Sequence, residues 1–275
     1  TVIAGATYTI HTMRQKYAAM GERFILYEII QPDRKEAARR TMANQESGEM
    51  ASMRIMLTNK FKETIDNLEI PEELPKISEE LRENLLDLAE LATRARSETE
   101  RNWRSPQQEI TSVHPPEMPT RFAGQLQTIA KALMILNYNE TGKMELLDRH
   151  FKILQKFSLD SIPKSKRVAM QELSKYNMIE TAGLSVKMKL PANSVRRSLE
   201  DLTALDIVDR EKGGGSRGDR WRMKPHYKEI INKFEGTVFE GDELTEYSAE
   251  NDIGTIDNSI TSTNEDLLKE SGEMF

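Results

Sequence analysis

The stretch from Pro191 to Lys224 constrains the fold more than any other part of this chain. Apolar residues recur there at the spacing of one buried helix face: Val195, Leu199, Leu202 and Leu205. Ile207–Lys212 and Arg220–Lys224 then predict two short strands, and the glycine-rich segment Gly213–Asp219 predicts a flexible turn between them. A single helix and a hairpin cannot bury their apolar faces alone, so the segment before Pro191 must supply the partners.

That preceding segment predicts two more helices. Lys164–Tyr176 and Thr181–Leu190 have helical patterns, with a short strand at Met178-Ile179 between them. The order helix, helix, helix, hairpin is typical of a winged helix, in which the N-terminal part of the third helix meets DNA. The predicted DNA-binding residues lie on that helix and on or beside the wing: Asn193, Ser194, Arg196, Arg197, Arg217, Arg220 and Arg222.

Charge is distributed unevenly along the 275 residues, whose net charge is −6. Residues 161–234 contain 16 Lys and Arg against 9 Asp and Glu, a local excess that attracts a polyanion such as DNA. Residues 235–275 contain 1 Lys or Arg against 12 Asp and Glu and predict a disordered acidic tail. A tail of this charge is expected to compete with DNA for the basic segment.

Several function classes are excluded or disfavoured. The absence of cysteine excludes disulfides, cysteine-ligated zinc, iron–sulfur clusters and thiol catalysis. The four histidines show no metal-ligand spacing, so no metal site is predicted. The glycine run lacks the Lys-Ser/Thr ending of a phosphate-binding loop and fits a wing better. No apolar run is long enough for a bilayer span and no signal peptide is evident, so we expect a soluble, cytoplasmic protein without a membrane partner.

The first half of the chain predicts two strands followed by helices. Thr1–Thr7 and Phe24–Ile30 are short, apolar and β-branched, as in buried strands, and the pattern from Asp33 to Phe157 is helical almost throughout. Three apolar stripes predict core-facing helices: Met50, Met53, Leu57, Phe61, Ile65 and Leu68; Leu81, Leu85, Leu88 and Ala92, with Ser78 as N-cap; and Phe122, Leu126, Ile129, Leu133 and Leu136. The proline-rich segment Val113–Pro119 predicts a linker.

Two resemblances follow from these motifs. Ser194–Val208 looks like the helix-to-strand signature of winged-helix proteins, including MarR-type transcriptional regulators. Gly21-Glu22-Arg23-Phe24 between the two strands, with Pro119-Thr120-Arg121-Phe122-Ala123-Gly124-Gln125-Leu126 further on, is similar to the C-terminal half of an AAA+ ATPase. The ordered set most resembles the MCM-like replicative helicase ATPases of phages and mobile elements, which carry a winged helix after the AAA+ lid.

This second resemblance implies roles for three residues. Thr7 stands at the position of the polar sensor, although asparagine is more usual there. Arg23 matches the arginine finger and Arg121 the second sensor, which act on ATP and Mg²⁺ held in a homo-oligomeric ring. The chain shows no Walker A or Walker B motif. We therefore expect a C-terminal portion that does not hydrolyse ATP alone, and we expect no cofactor for this portion by itself.

The expected fold class is mostly α, with the end of an AAA+ α/β core, a helical lid and a winged helix. The predicted domains are the core remnant at 1–45, the helical lid and linker at 46–160, the winged helix at 161–234 and the acidic tail at 235–275. Two alternatives remain open. One is a MarR-like regulator with a helical dimerisation domain, and the other is a winged helix whose arginine face docks an acidic protein.

Overall fold

Helices make up most of the described structure. The computed structural model describes residues 25–29, 33–47, 49–102, 104–105, 108–214 and 218–233. The helices are α1 Arg34–Ser47, α2 Glu49–Asp66, α3 Glu79–Ala95, α4 Thr120–Thr141, α5 Asp148–Asp160, α6 Lys164–Ser174, α7 Thr181–Met188, α8 Ala192–Ala204 and α9 Pro225–Lys233. The strands are β1 Thr99–Arg101, β2 Ile110–Val113, β3 Ile179–Glu180, β4 Val208–Glu211 and β5 Arg220–Met223.

The predicted winged-helix order is confirmed. Helices α6, α7 and α8 are followed by the hairpin β4–β5, and β3 joins that hairpin in an antiparallel sheet of order β3-β5-β4. Each observed element differs from its predicted bounds by no more than a few residues. Helix α9, which sequence reasoning did not predict, follows β5 and adds buried side chains: Tyr227, Ile230 and Ile231.

One hydrophobic core joins the winged helix to the preceding helices. It contains Leu88 of α3, Leu126 of α4, Met170 of α6 and Leu199 of α8, all essentially inaccessible to solvent. Trp221 of β5 completes the same cluster. Residues on both sides of position 160 therefore share one core, while the predicted domain boundaries stay a prediction.

Helix α3 agrees closely with the prediction from the sequence. The Ser78 hydroxyl accepts a hydrogen bond from the Leu81 amide at 3.2 Å, as the N-cap prediction requires. Glu79 and Glu80 occupy the first turn, where negatively charged carboxylates interact favourably with the helix dipole. The predicted stripe is also correct here, because Leu85, Leu88 and Ala92 are buried.

The prediction that the apolar stripe of α2 faces the core is wrong. The helix forms, but the apolar residues expected in the core are exposed, with 69% of Phe61 and 67% of Leu57 accessible. Helix α2 packs against α1, whose sequence is mostly polar, and none of its side chains joins the core among the described residues. Periodicity therefore identified the apolar face correctly and its burial wrongly.

The structure corrects two further predictions for the first half of the chain. Residues 25–29 of the predicted strand Phe24–Ile30 form no strand; they run alongside α5 and α6, where the Glu28 amide donates to Asp160 at 2.7 Å. The region predicted to be helical almost throughout also contains the antiparallel hairpin β1–β2. The strand predicted at Thr1–Thr7 and the acidic tail predicted at 235–275 lie outside the described residues. No strand of an AAA+ core is present among the described residues.

Candidate nucleic-acid interface

Helix α8 presents its N-terminal half to solvent. Pro191 precedes the helix at its N-cap position, and burial of Val195, Leu199 and Leu202 fixes its rotation about its axis. Three of the predicted DNA-binding residues are exposed on the opposite side: Asn193, Ser194 and Arg196. The spacing of the apolar residues on this helix predicts that Ser198 also lies outside, but Ser198 is buried.

The two arginines of α8 have different surroundings. Arg196 is exposed, and its Nε lies 3.7 Å from Oε1 of Glu200, one turn further along the helix. Such an exposed ion pair contributes little to stability, so Arg196 can release Glu200 and bind another anion. Arg197 is half-buried, and its backbone carbonyl accepts a hydrogen bond at 3.0 Å from Arg101 of β1. Arg196 is therefore the more accessible of the two predicted contacts.

The wing pairs its cations across the strands. Arg222 lies opposite Asp209 with Nε to Oδ2 at 3.0 Å, and Arg220 lies opposite Glu211 at 3.8 Å. All four side chains are substantially exposed, so each pair contributes at most about 1 kcal/mol to stability. Another anion can therefore compete with these carboxylates for the two arginines. Arg217, the remaining predicted wing residue, lies outside the described residues.

A charged cluster holds the base of the wing against α8. Arg210 of β4 donates to Asp219 and reaches Glu200 of α8 at 3.4 Å, with its guanidinium carbon 5.0 Å from the Trp221 ring centroid. Burial alone would raise the pKa of the Asp219 carboxyl. The hydrogen bond from the Gly213 amide and the Arg210 guanidinium nevertheless hold that pKa below its ordinary value. The base of the wing is therefore anchored to α8.

Sequence reasoning missed two lysines next to α8. Lys187 and Lys189 lie at the end of α7, in the helix-turn-helix, and both are exposed. Neither forms an ion pair with any residue that the structure describes. Lys189 adopts the left-handed conformation with φ 53°, which ends α7 and begins the turn toward Pro191. The signal was visible in the sequence as two cations immediately before the proline that precedes α8.

Of the three residues carried over from the AAA+ resemblance, the described structure contains Arg121. Thr7 and Arg23 lie outside it. Arg121 lies in the first turn of α4, half-exposed, with Nη1 at 3.6 Å from Oε1 of Glu117. The other oxygen of that carboxylate accepts a hydrogen bond from Arg96 at 2.7 Å. Glu117, in the predicted proline-rich linker, therefore joins the end of α3 to the start of α4.

Other kinds of site are absent from the part of the chain that the structure describes. No cluster of three or more His, Asp or Glu side chains there could hold a metal ion. No helix among those residues combines the length and the apolar character needed to cross a bilayer.

These features define a helical protein with a winged-helix-like region. Neither a protein-family model nor a curated protein matches the chain at a significant level. A structural comparison finds a chain described as a possible transcriptional regulator from Methanosarcina mazei Go1. The identity is 20%, the match covers 38% of this chain and 92% of that chain, and the TM-score is 0.23.

Proposed function

We propose that this chain binds double-stranded DNA by inserting the N-terminal half of α8 into the major groove. The observation that carries the proposal is the exposed face formed by Asn193, Ser194 and Arg196, which lies beside exposed lysines of α7 and an anchored wing. A helix with its side chains is about 10–12 Å across and the major groove is about 12 Å wide, so α8 can enter it.

Each group has a role that its chemistry supports. Asn193 can bond to an adenine edge, and Arg196 can bond to a guanine edge or to a phosphate. Lys187 and Lys189, at the turn before α8, can bind phosphates along one side of the major groove. On the wing, Arg222 can exchange its exposed Asp209 partner for a phosphate.

The proposal is tested by fluorescence anisotropy with a labelled mixed-sequence duplex. We expect affinity to fall by orders of magnitude between about 50 and about 200 mM KCl, because each phosphate contact releases counterions. Arg196→Glu is expected to weaken binding at least about tenfold. Arg39→Glu on α1 makes the same charge change at an exposed surface and serves as the matched control. Binding that is absent, or that ignores both salt and Arg196, overturns the proposal.

We further infer that the chain is the C-terminal part of an AAA+ replication ATPase of a phage or mobile element, acting as a ring on ATP and Mg²⁺. The sequence patterns around Arg23 and Arg121 support this inference, as does the accessible position of Arg121 at the start of α4. The described residues contain no phosphate-binding loop that could hold a nucleotide against Arg121.

The coding sequence upstream of Thr1 tests this inference. A Walker A motif and an acidic Walker B strand are expected there, and a start codon immediately before Thr1 would contradict it. In the longer protein, Arg121→Ala is expected to lower ATP hydrolysis, whereas Arg82→Ala, at an exposed position of α3, is expected to leave it unchanged.

A second candidate is a winged-helix regulator with a helical dimerisation domain. The exposed apolar face of α2, including Leu57 and Phe61, is the observation that favours it. This candidate predicts a dimer by light scattering and selection of a palindromic site from random duplexes. A monomer that selects no palindrome contradicts it.

A further inference from the structure

We propose that the hairpin β1–β2 is a second wing, whose turn places Arg104 on the DNA backbone beside α8. This inference rests on the proposed DNA binding and adds a contact surface outside the winged-helix segment. The hairpin lies 60 residues or more before α8 in the chain, and sequence analysis predicted helix there.

The hairpin is fastened directly to the recognition helix. Arg101 donates to Oδ1 of Asp201 at 2.6 Å, to Oε2 of Glu200 at 3.0 Å and to the carbonyl of Arg197 at 3.0 Å. Only 4% of the Arg101 side chain is accessible to solvent. Thr99 adds a hydrogen bond from its hydroxyl to Asp201 at 2.7 Å. The strand β1 is therefore held against α8 by charged hydrogen bonds from a buried guanidinium.

The hairpin turn begins next to α8, directly after the residue that is fastened to that helix. Thr99 contacts Asp201, and Arg101, two residues later, reaches back one helical turn to the Arg197 carbonyl. Arg104 follows Arg101 by three residues, so the two Cα atoms lie at most about 11 Å apart and Arg104 stays near α8. The turn that follows is closed by the Asn102 amide, which donates to the Glu109 carbonyl at 2.9 Å.

The two hairpins meet α8 at the same carboxylate. Glu200 receives Arg101 of β1 on Oε2 and Arg210 of β4 on Oε1. One hairpin thus anchors to each oxygen of this residue. The major groove is bordered by a phosphate backbone on each side, so a helix flanked by two hairpins can contact both backbones.

Arg104 supplies the charge that this second wing needs. It is exposed, and its amide donates to the Asn102 side-chain oxygen at 3.1 Å, which orders the backbone at that point of the turn. It forms no ion pair with any described residue, in contrast with Arg220 and Arg222 of the first wing. A phosphate can therefore bind Arg104 without displacing a carboxylate.

The test is a salt titration of DNA affinity for three variants of the full chain. Arg104→Ala is expected to weaken binding about tenfold and to reduce the slope of log affinity against log salt by about one. Arg104→Lys keeps the charge and is expected to keep the slope. Arg82→Ala removes an exposed cation from α3 and is the matched control. Urea unfolding of Arg104→Ala should match the unchanged protein, because the Arg104 side chain is exposed and forms no hydrogen bond or ion pair with any described residue.

The outcomes separate this inference from the proposed function. If the unchanged chain binds DNA and loses affinity with Arg196→Glu, but Arg104→Ala keeps both affinity and slope, the second wing is wrong and the proposed function stands. If the unchanged chain does not bind duplex DNA, the proposed function itself fails. If Arg104→Ala binds more tightly, the hairpin obstructs DNA and the second wing is also wrong.

Discussion

Replacing Arg101 by methionine removes the guanidinium that joins β1 to α8 and keeps most of the volume of its stem. Four hydrogen-bonded groups lose their partner: the carboxylates of Glu200 and Asp201 and the carbonyls of Gln108 and Arg197. Water cannot easily replace the guanidinium, because 4% of the Arg101 side chain is accessible.

The magnitude follows from what each carboxylate retains. Removing one partner of a buried ion pair costs about 3–5 kcal/mol. Asp201 keeps the Thr99 hydroxyl at 2.7 Å, and Glu200 keeps Arg210 at 3.4 Å. Both carboxylates are also partly accessible to water. We therefore expect Arg101→Met to lower the free energy of unfolding by about 3 kcal/mol, near the lower end of that range.

Urea unfolding followed by circular dichroism measures this loss. Arg82→Met is the control, since Arg82 forms one exposed pair with Glu79 within α3 and should cost at most about 1 kcal/mol. Arg101 also lowers the pKa of the nearby Lys166 ammonium, so Arg101→Met should raise that pKa. Equal stability of the Arg101→Met and Arg82→Met variants would refute the view that the hairpin is fastened to α8.

Three further predictions concern stability and DNA affinity. Ser78→Ala removes the N-cap of α3 and should lower the free energy of unfolding by about 1 kcal/mol in urea, whereas an unchanged midpoint would show the cap to be energetically silent. Burial lowers the pKa of Lys166 to about 8, so from about pH 8 to about pH 10.5 the unfolded chain holds a proton that the folded chain has lost. Stability contributed by this group therefore rises with pH by about 3 kcal/mol over that window, and Lys166→Met should flatten the rise in urea unfolding curves; a slope that persists in the variant contradicts this. Deleting residues 235–275, with their 12 acidic side chains, should tighten DNA binding in anisotropy, and unchanged affinity would discard competition by the tail.

Local patterns predicted the winged helix because its signals lie close together in sequence. The spacing of Val195, Leu199 and Leu202 fixed both the helix and its buried face. The glycine run between two short strands predicted the wing, and Ser78 predicted the start of α3. In each case the residues that decide the structure are neighbours along the chain.

Long-range contacts explain what the sequence did not predict. The segment Glu98–Arg101 is polar, and its strand conformation depends on Asp201, 100 residues away from Arg101. The apolar stripe of α2 predicted a helix correctly, but periodicity gives no information on what covers a face. The pairing of Arg222 with Asp209 likewise depends on strand register, which no local motif specified.

The central claim is that the N-terminal face of α8 touches DNA, and site-specific photo-crosslinking tests it directly. A photoreactive p-benzoylphenylalanine is placed at Asn193 of α8 and, as a control, at the exposed Met42 of α1, and each protein is irradiated with a labelled duplex. We expect a protein–DNA crosslink from position 193 that disappears at high salt, and none from position 42. DNA binding without a crosslink from position 193, or equal crosslinking from both positions, would contradict it.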